Sequence, residues 1–173
     1  MSNLASHALP KTRIFVEPEH LTADRAVLTG TGCHHLRNVL RFKPGDDVVV
    51  FDGAGRECLG VLELYQGETA VVRILGDAVR SSESPLELTV APCLAKGKKI
   101  DLIVEKAIEL GANRICVVQS ERSVGRLDPA QAMERVERWR RIARSAAEQS
   151  GRPRMPVIER IRPFEEFVAS RPA

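Results

Sequence analysis

The sequence predicts a small β-barrel followed by an α/β domain built on a parallel sheet. Three observations predict it. In the first half, short strand-like runs are separated by turn residues. In the second half, apolar strand runs alternate with helical patterns. Between them, "GDAVRSSESP" (residues 76–85) is polar, lacks large apolar residues and ends in proline, which marks a boundary. The domains expected are residues 1–78 and 85–173.

Residues 1–11 read as a loose tail, and "RIFVEP" as a short strand. "GTGCHHLRNVLRF" reads as a helix, with Leu36, Val39 and Leu40 as its apolar stripe. Pro44-Gly45 is a turn signal. "DVVVFDG", "ECLGVLELY" and "TAVVRIL" follow as strands, divided by Gly53-Ala54-Gly55 and Gln66-Gly67-Glu68. The first divider sits between strands and opens no helix, so it reads as a hairpin turn rather than a phosphate loop.

In the second half, "LELTVAPCLA" is a strand. "KKIDLIVEKAIELGA" is a helix, with Ile100, Ile103, Val104, Ala107 and Ile108 on one face and Gly111 at its end. "RICVVQS" is a buried strand. "LDPAQAMERVERWRRIARSAAEQSG" is a long helix, with Asp128 as N-cap, Pro129 in the first turn and Gly151 as the stop. Its core stripe is Met133, Val136, Trp139, Ala143 and Ala146 or Ala147. Arg135, Arg138, Arg141 and Arg144 read as a solvated face paired with Glu134 and Glu137. "PVIERI" is a further strand, and "PFEEFVAS" begins a helix.

The chain has 173 residues, 43% of them hydrophobic and 28% charged, a balance that supports a folded core rather than disorder. A net charge of +3 is compatible with nucleic acid without requiring it. Cys33, Cys58, Cys93 and Cys116 form no CxxC pair and sit in or beside apolar runs, as free buried thiols in a reducing cytoplasm would. Cys33-His34-His35 is not read as a metal site, because adjacent helical ligands diverge and no second ligand cluster follows. No stretch is long enough to span a bilayer, and a cytoplasmic location is expected.

The candidate binding residues are mostly cationic. Lys96, Lys98 and Lys99 follow a strand at the carboxyl edge of the expected sheet, where open α/β folds bind ligands. Glu121 and Arg122 follow the next strand on the same edge. His34, Arg37 and Arg41 share a helical spacing that could grip phosphates. "EQSGR" closes the long helix, yet Gly151 alone would stop it. Glu148, Gln149 and Arg152 are therefore expected to face RNA or the active-site edge with Glu121 and Arg122, or else to brace the fold internally.

Taken together, "CHHLRNVLRFKPGDDVVVFDG", "EKAIELG", "SERS" and "WRRIARSAAEQSGRPRMPVI" resemble the RsmE family, bacterial methyltransferases acting on N3 of a uridine in 16S ribosomal RNA. The resemblance runs from Arg13 onward, and Arg13 joins the expected RNA-binding set. It implies a PUA-like barrel, a SPOUT-type α/β domain with a trefoil knot, a homodimer, the small ribosomal subunit as partner and S-adenosylmethionine as donor. The family's GPEGG-type donor loop does not occur here, so the donor site is expected beyond Ala173 and the chain is expected to be truncated. A non-catalytic RNA-binding module is the alternative. An α/β enzyme taking a phosphorylated substrate through "KGKK" is a third reading.

Overall fold

Val48, Val49, Val50 and Phe51 are all fully buried, and the first unit is organised around the strand they form. In the computed structural model, which describes residues 10, 12–78, 83–123 and 128–170, the chain divides into Met1–Ser82 and Glu83–Ala173. The expected tail, apart from Pro10, and the middle of the expected linker lie outside the described residues.

The first unit is a curled five-stranded sheet of β1 (Arg13–Phe15), β2 (Arg25–Leu28), β3 (Asp47–Phe51), β4 (Glu57–Gln66) and β5 (Thr69–Asp77). Their order is β1-β3-β4-β5-β2. β1 runs parallel to β3, and the other pairs are antiparallel. β2 is an addition to the strands expected from the sequence. The β3–β4 hairpin turns at Gly53-Ala54-Gly55 as expected. Asp52 Oδ1 accepts from the N–H groups of Ala54, Gly55 and Arg56 at 2.8, 3.1 and 3.0 Å, satisfying the turn's backbone donors.

The β4–β5 register shifts at Leu59/Gly60 and again at Leu62/Leu64. Such irregularities bend a strand and curl its sheet. Gly60 lies at the first shift. A Cβ there would stand 2.5 Å from Val72 Cγ1 and 2.9 Å from the Arg73 carbonyl oxygen.

The helix expected over residues 30–42 is shorter and changes pitch. α1 (Gly30–His34) runs into a π-helical turn, His35–Val39. Leu36 is buried in the barrel core, but Val39 and Leu40 are exposed, because the widened turn rotates them off the expected stripe. Arg41, beyond the helix, has φ +56°.

In the second unit, β6 (Thr89–Val90), β7 (Arg114–Ile115) and β9 (Val157–Ile158) form a parallel sheet with β7 central. The pairing continues past these short strands. Cys93 bridges Val118, and β8 (Val118–Gln119) pairs in parallel with β10 (Arg162–Pro163). Residues 115–118 are buried throughout, as expected of a central strand.

α2 (Lys99–Glu109) and α3 (Pro129–Ser150) are the two crossovers. Right-handed connections in a sheet that grows in one direction put both helices on one face. There Ile100, Val104, Ile108, Val136, Trp139 and Ala147 share one core. Asp128 caps α3 by accepting from Ala130 N and Gln131 N, Pro129 opens it, and Gly151 at φ +82° ends it, as expected. Met133 and Ile103 depart from their expected core positions and are exposed. A short helix, α4 (Phe164–Ala169), ends the described fold. Cys33, Cys58 and Cys116 are buried free thiols, whereas Cys93 is exposed.

Gly60→Ala should destabilise the barrel by about 1–3 kcal/mol, the usual cost of forcing a methyl into a filled site. Chemical denaturation should show this as a lower midpoint for the first unit. An unchanged midpoint would mean that β4 and β5 separate at little cost.

Candidate nucleic-acid interface

The parallel sheet sorts the candidate residues by edge. The chain leaves the carboxyl edge after Leu94 toward α2, and after Gln119 toward α3. Residues 95–98 and 120–123 are therefore neighbouring loops, since Cys93 pairs with Val118 just before them. Lys96, Lys98 and Lys99 are exposed, as are Glu121 and Arg122. Ser120 and Ser123 close the second loop: Ser120 N donates to Ser123 Oγ at 2.9 Å, and Ser123 N to the Ser120 carbonyl at 2.9 Å. Val124 and Gly125 of the expected "SERSVG" cluster lie outside the described residues.

"EQSGR" lies at the other edge. α3 carries the chain 22 residues from the carboxyl edge back toward the start of β9, roughly 33 Å at the usual helical rise. Arg152 is 7% exposed. Its Nε and Nη2 donate to Glu83 Oε1 and Oε2 at 3.0 and 2.8 Å, a bidentate fork. Its Nη1 donates to the carbonyls of Ile108, at 3.2 Å, and Ala112, just past the end of α2. Arg152 thus ties residue 83, the end of α2 and the end of α3 together. This corrects its expected place beside Glu121 and Arg122: the guanidinium is buried and engaged, and the internal brace is the reading that stands. Glu148 is half-buried at this same edge, and Gln149 is exposed there.

Arg13 is corrected in the same way. Its side chain is 2% exposed, its Nε lies 2.6 Å from Glu57 Oε1, and its Cζ sits 4.5 Å over the Phe51 ring. It joins β1 to β4 inside the barrel unit and cannot reach a ligand outside. Arg37 is also anchored, donating to the Gly67 carbonyl at 2.7 Å with its Cζ 4.4 Å over the Tyr65 ring. His34 is exposed, and its Nδ1 lies 2.8 Å from Asn38 Nδ2. Arg41 is exposed too, but the π turn and its left-handed backbone remove the helical spacing expected between Arg37 and Arg41.

Concave surface in the second unit lies between the start of α2 and α3, and continues along α3 itself. A cleft of about 280 Å³ is lined by Gly97, Lys98, Asp101, Arg135, Arg138 and Trp139, among others. A cleft of about 460 Å³ shares Arg135 and Arg138 with it and adds Gln131, Glu134 and Arg141. Asp101 organises the junction: Arg138 Nη2 donates to its Oδ2, and Trp139 Nε1 to its Oδ1 at 3.1 Å. Glu137 pairs with Arg140 rather than with the arginines expected. Four cations and two carboxylates line the joined clefts, and one of those carboxylates is already engaged. This groove suits an anion. It does not suit S-adenosylmethionine, whose sulfonium would sit among like charges.

Sequence reading found Lys98 but discounted the arginines. Their spacing of three was visible. The carboxylate that organises them, 37 residues away from Arg138, was not.

A curled β-domain followed in the chain by a parallel α/β domain with a cationic groove is the make-up of an RNA-modifying protein. The model of the RNA methyltransferase domain matches residues 82–173, and that of the RNA methyltransferase PUA domain matches residues 28–75. The chain belongs to the RNA methyltransferase family, within its RsmE branch. It is similar to the ribosomal RNA small subunit methyltransferase E of Bacillus subtilis (strain 168), at 32% identity over 141 residues, 82% of this chain and 55% of that protein. It is 34% identical over 158 residues to the Synechocystis protein of the same name, covering 90% of this chain and 50% of that one. The crystal structure of a ribosomal RNA small subunit methyltransferase E from Neisseria gonorrhoeae bound to S-adenosyl methionine superposes with a TM-score of 0.86 at 33% identity, over 94% of this chain and 66% of that one. The chain spans about half the length of these curated relatives.

Arg152→Ala should cost the second unit about 2–4 kcal/mol, because it leaves the half-buried Glu83 without its partner and the Ile108 and Ala112 carbonyls without their donor. Arg152→Lys should recover only part of that, since an ammonium cannot reproduce the fork. Urea unfolding checks both. Near-native stability with weakened RNA binding would return Arg152 to the interface.

Proposed function

We propose that this chain holds RNA for the S-adenosylmethionine-dependent methylation of N3 of a uridine in 16S ribosomal RNA. The observation that carries this is the pair of family matches, barrel then α/β domain, in one chain and in the family's order. Relatives named as ribosomal RNA small subunit methyltransferase E support the substrate. The donor-bound neighbour supports the cofactor. The partner is the small ribosomal subunit or its RNA, the working form is a homodimer, and the setting is the cytoplasm. Among the described residues, no helix is long and apolar enough to cross a membrane. The boundaries near residues 78 and 85 are part of the same reading.

The chemistry sets what the protein must do. Uracil N3 lies on the Watson–Crick edge and carries a proton, so the base must be unpaired or turned out before it can be methylated. S-adenosylmethionine, when bound, supplies the methyl group. The cations of the groove and of residues 96–99 hold phosphates and so fix the strand's position. No described residue is assigned as the base that takes the N3 proton.

The reading that the grooves serve RNA rather than the donor has a direct test. Calorimetric titration of S-adenosylmethionine into this chain should give no saturable heat, while a 16S ribosomal RNA fragment should bind. Binding of the donor at one site per chain would show that the chain builds a donor pocket and overturn the reading. Failure to bind any RNA would overturn the function itself.

A further inference from the structure

The groove along α3, which reaches the start of α2 at one end, has an unusual distribution of partners. Of its four cations, Arg138 is tied to Asp101. Lys98, Arg135 and Arg141 have no partner among the described residues, and all three are exposed. Glu134 lies on the same face, but no described cation closes on it. Elsewhere on α3, Glu137 and Arg140 neutralise each other. A helix face evolved only for solubility would spread its charges and pair them at three- and four-residue spacing. Here three of the four cations lining the concave surface are left unpaired among the described residues, and the fourth, Arg138, is held by Asp101.

The groove's shape points the same way. Arg135, Arg138 and Arg141 follow one another at three-residue intervals, a row roughly 9 Å long at the helical rise. Successive nucleotides of a strand advance about 3.4 Å along a duplex axis, so the row is longer than one phosphate group. Lys98 adds a cation from the position just before α2. Asp101 holds Arg138 from one side, which orders the middle guanidinium without cancelling the cations on either side of it. Gln131 supplies a neutral polar group at the end of the row.

We infer that this groove is a track for the RNA sugar–phosphate backbone, with Arg135 and Arg141 making phosphate contacts, Lys98 adding a third, and Asp101 positioning Arg138 between them. The inference rests on the RNA-binding reading above and adds where in the second unit the strand runs. It gives the groove no part in reading sequence, because phosphate contacts carry none.

The test is fluorescence anisotropy of this chain with a labelled single-stranded 20-nucleotide RNA, over a series of salt concentrations. Arg135→Ala/Arg141→Ala should weaken binding by about tenfold or more and reduce the salt slope by about 1.4, at about 0.7 per lost single-strand phosphate contact. Both side chains are exposed, so the circular dichroism spectrum and melting profile should stay as in the parent. Lys106→Ala/Arg154→Ala removes two exposed cations outside the groove and should change affinity by no more than about twofold. The inference is overturned if the groove double variant keeps the parent's affinity and salt slope, or if the control variant loses as much. If the parent chain binds no RNA at all, the RNA-binding reading fails as well, and that result is told apart by the parent alone.

Discussion

A guanidinium buried where three segments meet must have its donors matched, and the second unit is arranged around that requirement at Arg152. Its fork takes the carboxylate of Glu83, and its remaining amine takes the carbonyls of Ile108, in the last turn of α2, and Ala112, just past it. Removing any one of these segments would leave a charge or a carbonyl stranded in the interior, at a cost well above that of a surface ion pair. The brace joins residues 83, 108–112 and 152, and so sets the depth at which α2 and α3 sit on the sheet. The groove lies where the start of α2 meets α3, joined there by Asp101 to Arg138 and Trp139. The barrel unit uses the same device on a smaller scale, with Arg13 and Glu57 joining β1 to β4.

The division of labour among the arginines follows. Those that reach the interior, Arg13 and Arg152, are consumed by carboxylates and carbonyls and hold the architecture. Arg37 is intermediate, pinning the π turn to the β4–β5 hairpin through Gly67 and Tyr65. Arg135 and Arg141, on the surface of α3 and without a partner among the described residues, are left to act on something outside. The amino edge of the sheet thus carries the Arg152 brace, and the carboxyl edge carries exposed cations, at the edge where open α/β sheets bind ligands. Exposure and partnering, not residue type, separate the two groups.

Much of this was legible in the sequence. The strand–turn rhythm gave the barrel, the βαβ alternation gave the parallel sheet, and the Asp128-Pro129 start and Gly151 stop gave the ends of α3, because these features depend on local chemistry. The family resemblance was legible as well, from stretches spread along the chain. What was not legible depended on contacts distant in sequence. Nothing near Arg152 announces Glu83, 69 residues away, and so "EQSGR" read as a site. Nothing in "WRR" announces Asp101, and so the groove read as a solvated face. Val39 and Leu40 were misplaced for a different reason: a helical stripe drawn at 3.6 residues per turn fails where the backbone widens into a π turn.

The central claim is that Arg152 holds the fold while Arg135 and Arg141 meet the RNA. Arginine footprinting with phenylglyoxal, read residue by residue by mass spectrometry with and without a 16S ribosomal RNA fragment, tests both halves at once. Arg135 and Arg141 should react in the free chain and be protected by RNA, while Arg152 stays unreactive in both. An Arg152 that reacts in the free folded chain and is protected by RNA, with Arg135 and Arg141 unaffected, would contradict the account.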